Sequence, residues 1–438
     1  MHPYEATASQ ILAQLRDGSL TVEQYAQSLL SRIEQRDDDV KAWAYLNPDL
    51  IIQRAKELDQ IPKAERGPLH GIAIGVKDVI FTKDMPTQHG SPIYEGASPE
   101  IDSASVSILR HAGALIFGKT TTTEFAASQK GCATRNARDP GRTPGGSSSG
   151  SGAAVGDYQV PIALGTQTGG SVIRPASFNG TYGFKPTWGA ISREGQKIHS
   201  LTFDTLGFFA RSAADFKLLA DVFEIHDDTP PEPEFGVAGA SFAIAKTAVW
   251  PKAGPGTVAA MEKTAELLRE SGARVEEVEL PAEFAQASAW HKVLLDTDGK
   301  ASFLPEYRRA ADRLSPTIVG HVENIAGHTR AQILEAFDGL AALRPKLDAI
   351  AARYAAIITP SVPDEAPVGL HSTGDFCFNA MWTALHVPVI NVPGLLGPNK
   401  MPVGISLVVP RYHDQHLIAV AEGVGKVLEH SAAWVATN

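Results

Sequence analysis

Two glycine- and serine-rich runs govern what this chain can fold into. The first is Arg142-Thr-Pro-Gly-Gly-Ser-Ser-Ser-Gly-Ser-Gly; the second is Gly165-Thr-Gln-Thr-Gly-Gly-Ser-Val-Ile-Arg-Pro-Ala. A helix-compatible turn (153–157) and a short apolar strand (160–164) separate them, so Ser147 and Ser171 stand in turns at opposite ends of one small α/β unit. Glycine beside a serine allows positive φ and lets the backbone approach a substrate closely. Consecutive N–H groups in such a turn can converge on one point and stabilise an oxyanion, as acyl transfer requires. A flexible linker is the plain alternative, but a linker does not sit between two apolar segments. A phosphate cradle needs Lys and then Ser or Thr after the last glycine, and Gly150-Ser-Gly lacks them. The G-x-S-x-G elbow is also missing around Ser171.

A serine hydroxyl is a poor nucleophile until a base takes its proton. No histidine lies between His111 and His199, so neither loop carries the usual base. Lys77, closing the apolar run Gly71-Ile-Ala-Ile-Gly-Val, is the nearest apt candidate, because desolvation there favours the neutral amine. A lone strand-end lysine more often reaches into water. Its combination with two serine loops turns the balance.

Gly75-Val-Lys77-Asp78, Pro144-Gly-Gly-Ser147-Ser-Ser-Gly-Ser, the run from Gly165 to Pro175, and Gly183-Phe-Lys-Pro-Thr187 together resemble the amidase signature family. Order and spacing agree too, with 70 positions from Lys77 to Ser147 and 24 from Ser147 to Ser171. The resemblance spans most of the chain, from Leu69-His-Gly-Ile to the 393–409 region. Gln167 departs from it, since many relatives carry Asp there.

The resemblance implies a Ser–Ser–Lys triad. Ser171 is then the nucleophile that forms an acyl-enzyme, Ser147 (after a cis peptide bond) relays the proton, and neutral Lys77 is the terminal base. Backbone N–H groups of Thr168, Gly169, Gly170 and Ser171 are implied as the oxyanion hole, and no metal or cofactor is implied. Candidate substrate contacts are Cys132 and Ser148 beside the first loop, Arg174 after the second, and Trp382 in a loop-helix expected to overlook the nucleophile. A guanidinium at 174 suits a substrate carboxylate; a structural ion pair beneath the loop is the favoured alternative. The implied fold is α/β: one large domain with a central, twisted, mixed but mostly parallel β-sheet covered on both faces by helices.

A chain of 438 residues, 43% hydrophobic, can bury a large core. Its net charge of −10 argues mildly against a nucleic-acid surface. Two cysteines, Cys132 and Cys377, make no disulfide framework and fit a reducing compartment. Residues 1–10 are polar, unlike a secretory signal, and no apolar run approaches the ~20 residues of a membrane span. The expectation is a cytoplasmic protein with a small-molecule amide substrate, no nucleic-acid partner and no membrane partner. A homodimer is compatible with the resemblance, because the family's leading helices often contribute dimer contacts.

Within the single domain the expected layout is an N-terminal helical layer (1–65), a catalytic core (66–225), an acidic proline-rich linker (226–236) and a second half (237–438). Thr21-Val-Glu-Gln24 is a capping box that opens a helix to about Glu34, and Asp37-Asp-Asp39 reads as a solvated turn. Gly118 to Glu124 reads as a strand-to-helix turn. Residues 282–347 read as mostly helical, with Trp290, His291, Phe303 and Tyr307 as core; the family lines its acyl pocket from this region. The expected function is hydrolysis of a small carboxylic amide, ester or carbamate. Alternatives are the glutamine-hydrolysing A subunit of a tRNA-dependent amidotransferase and a hydrolase of ureido or dicarboxylic half-amides. The presence of all three triad residues disfavours a catalytically dead scaffold.

Overall fold

The structure is a computed structural model that describes residues 2–232 and 234–429. Eleven strands form one sheet: β1 (Trp43–Tyr45), β2 (Ala73–Lys77), β3 (Leu115–Thr120), β4 (Ile162–Gln167), β5 (Tyr182–Lys185), β6 (Thr205–Ala210), β7 (Ser241–Ala245), β8 (Arg274–Val278), β9 (Ala356–Pro360), β10 (Val389–Leu396) and β11 (Pro402–Val408). Their order across the sheet is β1-β3-β2-β4-β6-β5-β10-β11-β9-β7-β8. Strands from the second half pair directly with those from the first, through Val389 opposite Lys185. The single mixed sheet is as expected, but it is not mostly parallel. Only β2 with β3 and β4, and β7 with β8 and β9, run parallel; the other six pairings are antiparallel. Helix–strand alternation in the sequence cannot show this, because strand direction is set by where each connection returns the chain.

Alternation along the strands divides the core in two, as period-two side chains must. In β7, Phe242 and Ile244 pack with helices Ala213–Val222, Pro255–Glu270 and Asp414–Glu429. Ala243 and Ala245 face the opposite way, toward helices Ala287–Ser302, Arg330–Ala351 and Cys377–Ala384. Each edge is blunted against further pairing. β1 is three residues long, and β8 carries Arg274, Glu276 and Glu277.

Three local expectations change. The helix that Thr21 caps runs to Val40, so Asp37-Asp-Asp39 is helical; the Asp37 carboxylate accepts from the N–H of Ala42 and steers the chain into β1. Gly118 to Thr120 is strand rather than turn. The acidic linker is tied down, since Asp227 accepts from the N–H groups of Gln415 and His416 at the start of the last helix; its Pro233 lies outside the described residues. Among the described residues no helix is long and apolar enough to cross a membrane.

The N-terminal helix Ala8–Asp17 is held through a carboxylate. Buried Asp215 accepts from the N–H groups of Ala8 and Ser9 and from the Ser9 hydroxyl, at 3.2, 2.9 and 2.8 Å. Asp215→Ala leaves those donors unpaired and is expected to cost about 1–3 kcal/mol. Denaturant unfolding reads the loss, and amide exchange quickened selectively across residues 8–17 locates it.

Candidate active site

β2 and β4 lie side by side and parallel, so both release the chain at the same edge of the sheet. That edge collects the chemistry, as the carboxyl ends of parallel strands commonly do. Lys77 is the last residue of β2, and Gln167 is the last of β4. The second glycine run turns over at 168–171 and enters helix Ile173–Asn179. The first lies beneath it, with a cis peptide at Gly146–Ser147 and helix Ser149–Gly156 following. Small residues are needed here: a Cβ on Gly150 would sit 2.2 Å from the Ala42 carbonyl, and one on Gly170 2.8 Å from Phe376 Cβ.

The Lys77 side chain is fully buried. Its Nζ lies 2.7 Å from Ser147 Oγ, 2.9 Å from Ser148 Oγ and 2.8 Å from Thr166 Oγ1. Among the described residues no carboxylate pairs with it, and burial holds its pKa well below the usual lysine value, against the weaker pull of Asp204. Asp204 is itself buried, which raises its carboxyl to about 6. It accepts from Thr168 Oγ1 at 2.6 Å.

Ser171 opens on a cavity of about 510 Å³ together with Ser147, Thr168, Gly169 and Gly170. The backbone N–H groups of Thr168, Gly169, Gly170 and Ser171 donate to no described residue. Buried N–H groups are nearly always paired, so four consecutive free ones beside a cavity are an exception. Among the described residues no cluster of His, Cys, Asp or Glu is placed to hold a metal ion.

The family model for amidases matches residues 24–418. The chain belongs to the amidase family. It is 33% identical to the A subunit of the glutamyl-tRNA(Gln) amidotransferase of Symbiobacterium thermophilum, over 95% of each chain. Among solved structures, an amidase is similar with a TM-score of 0.86 and 28% identity, over 96% of this chain and 99% of that one. The glutamyl-tRNA(Gln) amidotransferase A subunit of Thermotoga maritima is similar with a TM-score of 0.80 and 26% identity, over 97% and 95%. This amidase is therefore a hydrolase of C–N bonds in amides. The expectation of no nucleic-acid partner gains no support, since the names of the two amidotransferase subunits include a tRNA.

Not every candidate substrate contact reaches the cavity. Cys132 sits off it, with Sγ 3.4 Å from Thr134 Oγ1. Ser148 faces Lys77 from within the core and accepts its N–H. Trp382 is buried among helices on the far side of its own helix; Phe376, Cys377 and Ala380, one helical face earlier, line the cavity instead. Arg174 does border it, yet among the described residues makes no ion pair: its Nη1 donates to the Gly374 carbonyl at 2.8 Å, and Nη2 to the Gly146 carbonyl and Thr373 Oγ1 at 2.6 and 3.1 Å. The guanidinium thus ties the cis-peptide loop to the 373–374 loop.

Residues that the sequence left unassigned complete the walls. His291, expected in the core, lines the cavity and bonds the Thr168 carbonyl through Nε2 at 2.8 Å. His199 and His321 reach the cavity from distant segments. No spacing signal links these histidines to the serine loops; only the helices of the second half bring them there.

Proposed function

We propose that Ser171 is the nucleophile of this amidase and that its proton leaves through Ser147 to Lys77. The observation that carries this is a buried amine surrounded by hydroxyls rather than carboxylates, behind a serine flanked by four unclaimed N–H groups. The hydrogen-bond inventory fits a neutral amine, which has two N–H donors and one lone pair. The Ser148 hydroxyl lies 3.3 Å from the Thr166 carbonyl, so it donates there and accepts from Lys77. Thr166 Oγ1 takes the second N–H. Nζ also lies 3.4 Å from the Thr166 carbonyl, a longer contact that the same N–H can share, which leaves the lone pair for the proton of Ser147, the shortest of the four contacts.

On attack, the Ser171 oxygen bonds to the amide carbon while its proton passes to Ser147, whose own proton moves to Lys77. The carbonyl π electrons move to oxygen, toward the free N–H groups of residues 168–171. When the C–N bond breaks, the proton returns through Ser147 to the leaving nitrogen, and water then cleaves the ester by the same route. Arg174 holds the loop that carries Ser147.

The names of the relatives favour glutamine as the substrate, in an amidotransferase that hands the released ammonia onward and includes partner subunits and a tRNA. The cavity mouth supports an amide with charges of both signs. Lys252 and Asp375 pair there at 3.1 Å, and Lys292 and Asp296 at 2.7 Å. A self-sufficient amidase is the second reading, favoured by the higher similarity to the solved amidase than to the solved amidotransferase chain.

Ser171→Ala is expected to abolish turnover without changing the fold, and a fluorophosphonate is expected to label Ser171 alone, as read by intact mass and peptide mapping. Label on another residue would exclude Ser171 as nucleophile. The base must be uncharged, so kcat/KM is expected to rise with pH as Lys77 loses its proton and then level off. Because burial lowers that pKa, the plateau is reached well below the ordinary lysine value of about 10.4. A rate still climbing at that pH would remove Lys77 from the role. Assays of glutamine and of simple aliphatic amides, with and without the other amidotransferase subunits, separate the substrate readings. Glutamine turnover that depends on partners supports the first, and rapid turnover of simple amides by the chain alone supports the second.

A further inference from the structure

The loop bearing the free N–H groups is held from behind by a directed chain of hydrogen bonds. Gln167 Oε1 accepts from the N–H groups of Val172 and Ile173, at 2.9 and 3.0 Å. Both are obligate donors, so the oxygen of this amide must face them and its nitrogen must point the other way. Gln167 Nε2 then donates to Thr383 Oγ1 at 3.0 Å. With its lone pair so engaged, the Thr383 hydroxyl gives its single proton to the Gly169 carbonyl at 2.7 Å. In a planar trans peptide, C=O and N–H point in opposite directions. A Gly169 carbonyl drawn back toward Thr383 therefore turns the N–H of Gly170 toward the cavity. The Thr168 carbonyl is held by His291 Nε2, from a residue that itself lines the cavity.

We propose that Gln167 and Thr383 are positioning residues that aim the Gly170 N–H at the reacting carbonyl oxygen, and that the amide nitrogen of Gln167 is what sets the direction of the relay. A carboxylate at 167 would still accept from Val172 and Ile173, but its other oxygen would compete with the Gly169 carbonyl for the one hydroxyl proton of Thr383. One acceptor would then go unpaired, and the Gly169–Gly170 peptide would lose its tether. The role rests on the reading of Ser171 as nucleophile, since it concerns charge that develops on the carbonyl oxygen during attack. Neither residue borders the cavity, so neither touches substrate.

The test compares Gln167→Glu, Thr383→Val, Thr383→Ser and the Gln167→Glu/Thr383→Val double variant in the full chain. Losing an oxyanion donor outright lowers kcat by about 100- to 1,000-fold; misaiming one is expected to lower it by about 10- to 100-fold, with KM changed less than about threefold. Thr383→Ser keeps the proton and is expected to restore the rate, and the double variant is expected to be no slower than the slower single. Gln167→Glu preserves volume and both N–H contacts, so it carries the test if Thr383→Val does not fold. Retention of kcat within about twofold in a folded Thr383→Val, a loss confined to KM, or losses that multiply in the double variant overturns the relay. Fluorophosphonate labelling separates the two failures. If the wild-type chain hydrolyses amide but takes no label at Ser171, the nucleophile reading falls and the relay with it; if it labels and Thr383→Val is as fast as wild type, only the relay falls.

Discussion

A lysine amine buried without a carboxylate is the constraint on which the rest of the site depends. Among the described residues three lysines end inside the molecule, and their surroundings set them apart. Lys119, on the neighbouring strand, keeps Asp78 at 3.5 Å, and burial lowers its pKa only to about 8. Lys185 donates to the Pro186 carbonyl, has the charge of Asp414 within reach, and is lowered to about 7. Lys77 meets three hydroxyls at hydrogen-bond distance and no carboxylate among the described residues, and burial holds its pKa well below the usual lysine value. Removing a charge from water without a counter-charge drives the group to its neutral form.

The second feature is the run of free N–H groups at residues 168–171, which lines the same cavity as Ser147. Residues 168–171 could collapse inward and bond to their own surroundings, as free backbone N–H groups usually do. They are prevented from the outside: Asp204 holds the Thr168 hydroxyl, His291 its carbonyl, and Thr383 the carbonyl of Gly169. Phe376 and Asn379 close the remaining space, so that even a methyl group on Gly169 or Gly170 would collide. Preorganisation of this kind leaves little to rearrange when charge develops, which is where electrostatic catalysis gains most.

The two halves of the chain divide this work. The first half supplies the amine, both serines and the N–H run. The second supplies His291, Phe376 and Thr383, which shape and brace that run, and the charged pairs at the cavity mouth. Joining β5 to β10 makes the two halves one sheet, so the brace and the braced loop belong to the same rigid body. The charged pairs on the cavity wall and the braces of the loop therefore come from the same half of the chain.

How much of this was legible in the sequence follows from the range of the forces involved. Glycine beside serine, apolar runs ending in lysine, and a capping box are local patterns, and they located the triad candidates and carried the resemblance to the family without a fold. Strand direction is not local, and six of the ten pairings proved antiparallel against an expected parallel majority. Side-chain facing within a helix failed for Trp382, which shares a helix with the wall residues Cys377 and Ala380 but points into the core. The partners of Arg174 failed likewise, because carbonyl acceptors carry no residue-type signal. By itself the sequence determined the family and the candidate amine, hydroxyls and glycine-rich turns, since those are residue types in short runs. Only the tertiary structure decided which of them is stripped of water and which is held from behind, because burial and bracing are set by chain segments from 70 to 214 residues away.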